Sequence, residues 1–212
     1  MITIKSFVFN PFHENTYVLS NEQLECWIVD AGCCTDKERE KLKKYIDDNG
    51  LNPQKLLNTH CHLDHIYGNH FIYQNYGLLP QWHKLEDIIA KNASMAARMF
   101  GVDIPQEQDP GAYLSIDDVL CLGASSFRIL YTPGHSPGSI CFYNEKEKFV
   151  IVGDVLFKES IGRTDLPGGN YDTLIHSIRT QLFTLPDDTK VFNGHGFSTS
   201  IGHEKKYNPF LQ

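Results

Sequence analysis

Short runs of apolar residues with polar breaks dominate the start of the chain. Residues 2–9, 16–20 and 25–30 are rich in β-branched and aromatic side chains and predict three strands. A helix is predicted over 35–49, where Thr35 can cap the start, Glu38 can complete a capping box and Gly50 ends the run. Residues 55–58 predict a short buried strand. Helical spacing returns over 66–76 and 85–100, and Gly101 ends the second stretch. Residues 101–116, rich in Pro, Gly, Asp and Gln, predict an exposed loop. Strands are predicted at 119–122, 126–132, 139–144 and 148–152, then a helix over 171–183 and a last strand at 190–193. No low-complexity run or linker divides the chain, so one domain over 1–212 is expected.

Four apolar runs end on a side chain able to bind a metal. Leu56-Leu57-Asn58-Thr59 leads to His60, and Ile129-Leu130-Tyr131-Thr132-Pro133-Gly134 to His135. Val150-Ile151-Val152-Gly153 leads to Asp154, and Val191-Phe192-Asn193-Gly194 to His195. Strand ends at one edge of a sheet are where α/β folds usually place their chemistry. The first run opens the segment His60-Cys61-His62-Leu63-Asp64-His65. Alternate side chains of an extended segment share a face, so His60 and His62 can reach one ion, with His135 as a third nitrogen ligand. Asp64, His65 and His195 can hold a second ion. Asp154 is the natural bridge, because a carboxylate can offer one oxygen to each ion. Imidazole and carboxylate without thiolate suit zinc first, with iron or manganese as alternatives. Three protein ligands and an open position mark a catalytic site, and a hydroxide shared by two ions is a nucleophile at neutral pH. Asp64 and Asp154 are the expected catalytic carboxylates.

The net charge of −7 argues against a nucleic-acid or anionic-membrane partner, which would require clustered Lys and Arg. The basic residues near Lys41 alternate with Asp36, Glu38 and Glu40 and predict a solvated helix face. No apolar run approaches the roughly 18 residues of a membrane span, and the N-terminus has no signal-peptide pattern, so a cytoplasmic protein is expected. Cys26, Cys33, Cys34, Cys61, Cys121 and Cys141 make no Cys-x-x-Cys pair and are expected to be free, buried thiols. Cys61 is expected to pack away from any metal. Asp30 can be a turn residue or a hydrogen-bond partner for a ligand imidazole. His70, His83 and His176 fall in helical stretches and are not expected to be ligands.

The ligand positions resemble those of the metallo-β-lactamase superfamily across nearly the whole chain. The resemblance implies an α/β fold, a four-layer αβ/βα sandwich of two mixed β-sheets flanked by helices. It implies His60, His62 and His135 for one ion, Asp64, His65 and His195 for the other, and Asp154 between them. The segments Asn10-Pro11, Glu14-Asn15-Thr16-Tyr17 and Gly162-Arg163-Thr164-Asp165-Leu166-Pro167-Gly168-Gly169 resemble the short glyoxalase II-like enzymes. Those enzymes hydrolyse hydroxyacyl thioesters of glutathione. The implied substrate is a small thioester such as lactoylglutathione, cleaved by a metal-bridging hydroxide in a monomer or small homo-oligomer. Arg163 stands where such enzymes carry a basic residue against glutathione, but it can equally pair with Asp165. The residues after His195 are too few for the C-terminal helical domain of the longer glyoxalase II enzymes, which leaves the thiol carrier open. The segment 83–116 can be a cover for the site or an inserted surface helix pair. A rival reading is a persulfide dioxygenase with one iron on His60, His135 and Asp154. The residues Leu166-Pro167-Gly168-Gly169 lean toward the thioesterase. A non-enzymatic metal-binding domain is a third reading, and the complete ligand set argues against it.

Overall fold

In the computed structural model, which describes residues 1–102 and 108–212, the central strands carry apolar side chains on both faces and feed two cores at once. The N-terminal half forms a six-stranded sheet in chain order: β1 (Thr3–Phe9), β2 (Glu14–Ser20), β3 (Glu25–Val29), β4 (Asn52–Leu57), β5 (Pro80–Trp82) and β6 (Ala112–Tyr113). The first three strands pair antiparallel, and β3 to β6 pair parallel. Parallel neighbours need long crossovers. Helix α1 (Asp36–Asp48) makes the first, α2 (Leu63–Ile66) and α3 (Asn69–Tyr76) the second, and α4 (Asp87–Lys91) with α5 (Ala93–Phe100) belong to the third. The second sheet contains β7 (Val119–Leu122), β8 (Ser125–Tyr131), β9 (Ile140–Asn144) and β10 (Phe149–Gly153). A hairpin of β11 (Leu156–Phe157) and β12 (Ser160–Ile161) follows, then α6 (Tyr171–Ser177). Strands β13 (Lys190–Asn193) and β14 (Thr199–Ser200) complete the sheet in the order β14-β13-β10-β9-β8-β7, and α7 (Ile201–Tyr207) packs beside it.

Tyr17, Leu19, Trp27, Val29 and Leu57 of the first sheet face Phe127, Ile129, Phe142, Phe149 and Ile151 of the second. Their strand neighbours Val18, Cys26, Ile28 and Leu56 point the other way, onto Leu42 and Ile46 of α1 and Ile72 of α3. Leu130, Cys141, Val150 and Val152 likewise turn outward onto Leu174 of α6 and Ile201 of α7. The period of two thus produces helix, sheet, sheet and helix in four layers, as expected for the fold class.

The structure departs from the expected elements at several points. The helical run 66–76 is split, and α3 begins at Asn69. Gly68 is pressed against the chain there: its N–H donates to Ala31 O at 2.6 Å, and a Cβ would collide with Cys33 Sγ. The run 85–100 is two helices broken at Asn92, whose side-chain amide donates to Ile88 O at 2.7 Å. The expected loop at 101–116 includes β6, while its residues 103–107 lie outside the described residues. Strands as short as β5, β6, β11 and β14 show no period in sequence. Cys121 is exposed, not buried, because it alternates in β7 with the buried Leu120 and Leu122. No helix among the described residues is long and apolar enough to cross a membrane.

Helix α1 begins with the expected capping box of Thr35 and Glu38. Glu38 has a wider role. Its Oε2 accepts from the N–H groups of Cys34 and Thr35, both at 3.0 Å, and its Oε1 from Asn10 N–H at 2.8 Å. Asn10, at φ +51°, donates its side-chain amide to Gly32 O at 3.0 Å and Asp64 O at 2.9 Å. Partial burial pushes the Glu38 carboxyl up, but hydrogen bonds from Thr35, Cys34 and Asn10 outweigh it and hold the pKa below its ordinary value. A depressed folded pKa gives stability that is present above the unfolded value of about 4.3 and is lost as pH falls through the folded value. Glu38→Gln is therefore expected to cost roughly 1–2 kcal/mol at pH 7 in urea unfolding, with the difference closing as pH falls through the lowered folded value. A difference that ignores pH would show that the carboxylate charge is not its source.

Candidate metal centre

The C-terminal edges of the two sheets are stitched together by backbone. Ile140 N–H donates to Thr59 O at 2.9 Å, joining the end of β4 to β9. Asn15 N–H reaches Gly194 O at 2.7 Å, and the Tyr17 hydroxyl donates to Asn193 O at 2.6 Å. Strands β10 and β13 run parallel with Gly153 opposite Asn193, so Asp154 and His195 leave the sheet side by side. Gly194 is required by close approach, since a Cβ there would collide with Asp154 Oδ1.

This junction brings all seven expected donor side chains together. His62 Nδ1 lies 2.8 Å from His135 Nε2, which lies 3.2 Å from His60 Nε2. His60, His62 and His135 form one cluster, and Asp64, His65 and His195 another; within each, the donor atoms lie within 4.8 Å of one another. Asp154 stands between the clusters. Its Oδ1 is 3.4 Å from His65 Nε2, and its Oδ2 is 3.6 Å from His135 Nε2 and 3.4 Å from His195 Nε2.

The far nitrogens of the rings are anchored. His135 Nδ1 donates to Arg163 O at 2.8 Å, and His195 Nδ1 to Phe12 O at 3.0 Å. A carbonyl only accepts, so both rings carry a proton on Nδ1 and turn Nε2 toward Asp154. His60 Nδ1 meets the Thr59 hydroxyl at 3.0 Å, and His65 Nδ1 lies 3.1 Å from Asp30 Oδ2. Asp30 is a turn residue that also faces the His65 ring. It turns the chain at φ +52°, and it accepts the N–H and hydroxyl of Thr59, each at 2.7 Å.

Burial, then the neighbouring imidazoles, push His60 well below its ordinary value and His62 down to about 3. Burial lowers His135 as well, so these three rings stay neutral, as metal ligands must. Burial also opposes charge on His65 and His195, but the carboxylates of Asp154 and Asp64 prevail. They hold His65 well above its ordinary value and His195 at about 10. Burial pushes Asp64 and Asp154 up, yet the facing imidazoles keep both below the usual carboxylate range. Whenever no cation is bound, two imidazolium rings balance two carboxylates. Even so, His65 Nε2 and Asp154 Oδ1 are buried without hydrogen-bond geometry to any partner. Orphans of this kind cost about 1–3 kcal/mol each. A divalent cation would satisfy both, and the imidazole and carboxylate donors fit it.

The chain also matches the metallo-beta-lactamase superfamily over residues 9–195. It belongs to that superfamily. It is 37% identical over 213 residues to the hydroxyacylglutathione hydrolase GloC of Haemophilus influenzae, covering 99% of this chain and 98% of that one. Among solved structures it resembles the BLEG-1 B3 metallo-beta-lactamase with a TM-score of 0.90 and 35% identity, covering 99% and 100% of the two chains. It resembles TTHA1623 in a di-iron-bound form with a TM-score of 0.88 and 34% identity, covering 98% and 100%. Membership of the superfamily and the named hydrolase support a metal-dependent hydrolase.

Within this superfamily site, Arg163 has its guanidinium on Asp165, with Nε and Nη2 each donating at 2.7 Å to one carboxylate oxygen. The part of Arg163 that serves the donor cluster is its carbonyl. His203 lies 2.9 Å from Glu159 and does not join the cluster. The Cys61 thiol is buried and pushed well up by that burial, which suits packing. Sequence reasoning missed Glu86. This buried carboxylate accepts Cys61 N–H at 2.8 Å on one oxygen, and the Ser136 hydroxyl at 2.7 Å and Gly138 N–H at 2.6 Å on the other. It ties the His60–His62 turn to the loop that carries His135. Nothing in its local sequence marks it, because its partners are remote in the chain. Glu86→Gln would turn a donor amide toward at least one of these donors. Metal affinity is expected to fall about tenfold or more, read by competition with a chromophoric chelator. Unchanged affinity would show that the two loops hold their geometry without Glu86.

Proposed function

We propose that this protein is a binuclear metal-dependent thioesterase acting on hydroxyacyl thioesters such as lactoylglutathione. The observation that carries the two-ion reading is the position of Asp154 between the clusters, with Oδ2 3.6 Å from His135 Nε2 of one and 3.4 Å from His195 Nε2 of the other, and Oδ1 3.4 Å from His65 Nε2. The relation to GloC over nearly the whole chain supports the thioester. His60, His62 and His135 would hold one ion and Asp64, His65 and His195 the other, with Asp154 shared. Zinc is the first choice on donor chemistry, with iron or manganese as alternatives. Bound ions there supply Lewis acidity, lowering the pKa of a coordinated water and polarising a carbonyl oxygen.

The chain's own contribution is orientation. Arg163 O and Phe12 O fix the His135 and His195 rings, Asp30 positions Thr59 and faces His65, and Glu86 locks the two loops. No general acid is required, because a thiolate with a pKa near 8.5–9 leaves without prior protonation. Glu86 and Asp30 are both occupied by hydrogen bonds and do not serve that role. The free cysteines suit a reducing cytoplasm. The 35% identity to BLEG-1 favours β-lactam hydrolysis as a second reading.

The test is metal content of the purified protein, followed by three parallel assays. These are lactoylglutathione hydrolysis, β-lactam hydrolysis, and oxygen uptake with glutathione persulfide. Two ions per chain with thioester cleavage is the expected result. Asp64→Ala or His65→Ala should lower kcat at least about a hundredfold, since Lewis-acid stabilisation is worth several kcal/mol. One iron per chain with persulfide-dependent oxygen uptake would sink the thioesterase.

A further inference from the structure

A cavity of about 790 Å³ opens from the donor cluster. His62, Asp64, His135, Asp154 and His195 line its base. One wall is formed by Ile88 of α4 with Met95, Met99 and Phe100 of α5, and Phe12, Phe157 and Leu166 also line it. The wall residues are not core. Met99 is 80% exposed, Ile88 62%, Met95 58% and Phe100 50%. Large apolar side chains gathered at a catalytic cavity mark a ligand surface, and methionines adapt to ligands of varied shape.

Charge on the same surface is sparse. Among the described residues lining the cavity, Arg163 is the one Lys or Arg, and Asp165 already binds its guanidinium through two 2.7 Å hydrogen bonds. Glutathione carries two carboxylates and would call for free cations. The wall offers apolar area instead.

We propose that this cavity selects thioesters carrying an apolar group, on the acyl or on the thiol side, packed against Ile88, Met95, Met99 and Phe100. The proposal rests on the thioesterase reading and sharpens its substrate class. Lactoylglutathione is then a minimal substrate that leaves the wall unfilled. Each methylene laid against the wall is expected to raise affinity about three- to fourfold.

Two series on the metal-loaded protein test this. In the first, kcat/KM is measured as the acyl group on glutathione grows from lactoyl to 2-hydroxyhexanoyl and mandeloyl. In the second, the lactoyl group is kept and the thiol changes from glutathione to N-acetylcysteamine and benzyl mercaptan. A rise of tenfold or more along one series is expected, and that series identifies the side that meets the wall. The gradient should flatten in the exposed-site variants Met95→Ser and Met99→Ser, with Tm reporting that they fold. Calorimetric binding of uncleaved S-methyl-, S-butyl- and S-hexylglutathione reads the cavity independently of turnover. If no thioester is cleaved but the thioethers still bind more tightly with length, the thioesterase reading fails while the apolar cavity stands. Flat series on both sides, or gradients untouched by both variants, would overturn the proposal. So would a dimer that Met99→Ser dissociates without any chain-length preference, because the wall would then be a self-association surface.

Discussion

Asp154 puts a carboxylate where six other donor side chains converge, in a place largely shut off from water. A buried charge is tolerated only when it is balanced. Here the balance comes from His65 and His195 or from cations, and no packing of apolar side chains could replace it. The consequences spread outward. Gly194 must lack a Cβ to let the carboxylate in, and the far nitrogens of the surrounding rings must be anchored so that the near ones face it. Asp30, Thr59 and Glu86 are then needed to hold the loops that carry those rings.

That convergence depends on two sheets packed face to face and joined by hydrogen bonds along one edge. The inter-sheet core of Trp27, Phe127, Phe142 and Ile151 fixes their separation, and hydrogen bonds from Ile140, Asn15 and Tyr17 fix the edge. The donor side chains therefore sit on the short loops and the α2 turn that follow rigid strand ends, and hydrogen bonds hold those loops, which is how a site keeps its geometry before ligand arrives. The cap of α1 belongs to the same framework, since Glu38 holds Asn10 and Asn10 holds the backbone at Asp64.

Chemistry and selectivity are divided between different parts of the chain. The donors come from the C-terminal ends of both sheets, whereas the exposed wall of the cavity comes from α4 and α5 in the crossover before β6. Changes in that crossover can alter what fits without touching the donors. The pairing of Arg163 with Asp165 is consistent with this division, because it leaves the cavity without a free guanidinium.

The strands and the candidate donor residues were legible in the chain because both leave short-range marks, whereas the four-layer arrangement was implied by the resemblance to the superfamily. Apolar runs at β2, β3, β9 and β10 predicted strands, and each donor stood at a visible strand end or within His60-Cys61-His62-Leu63-Asp64-His65. The capping box at Thr35 and Glu38 is equally local. Other features carried no such mark. The break at Gly68 follows from contact with Ala31 and Cys33, the exposure of Cys121 from its face of β7, and the ion pair of Arg163 from side-chain direction. Glu86 reads as an ordinary surface residue until the fold brings it to Cys61 and Ser136, positions 25 and 50 residues away. Local periodicity and composition record which residue types are present and which way a strand faces. They do not record which distant backbone groups will need a partner, and that is settled when the two sheet edges close on each other.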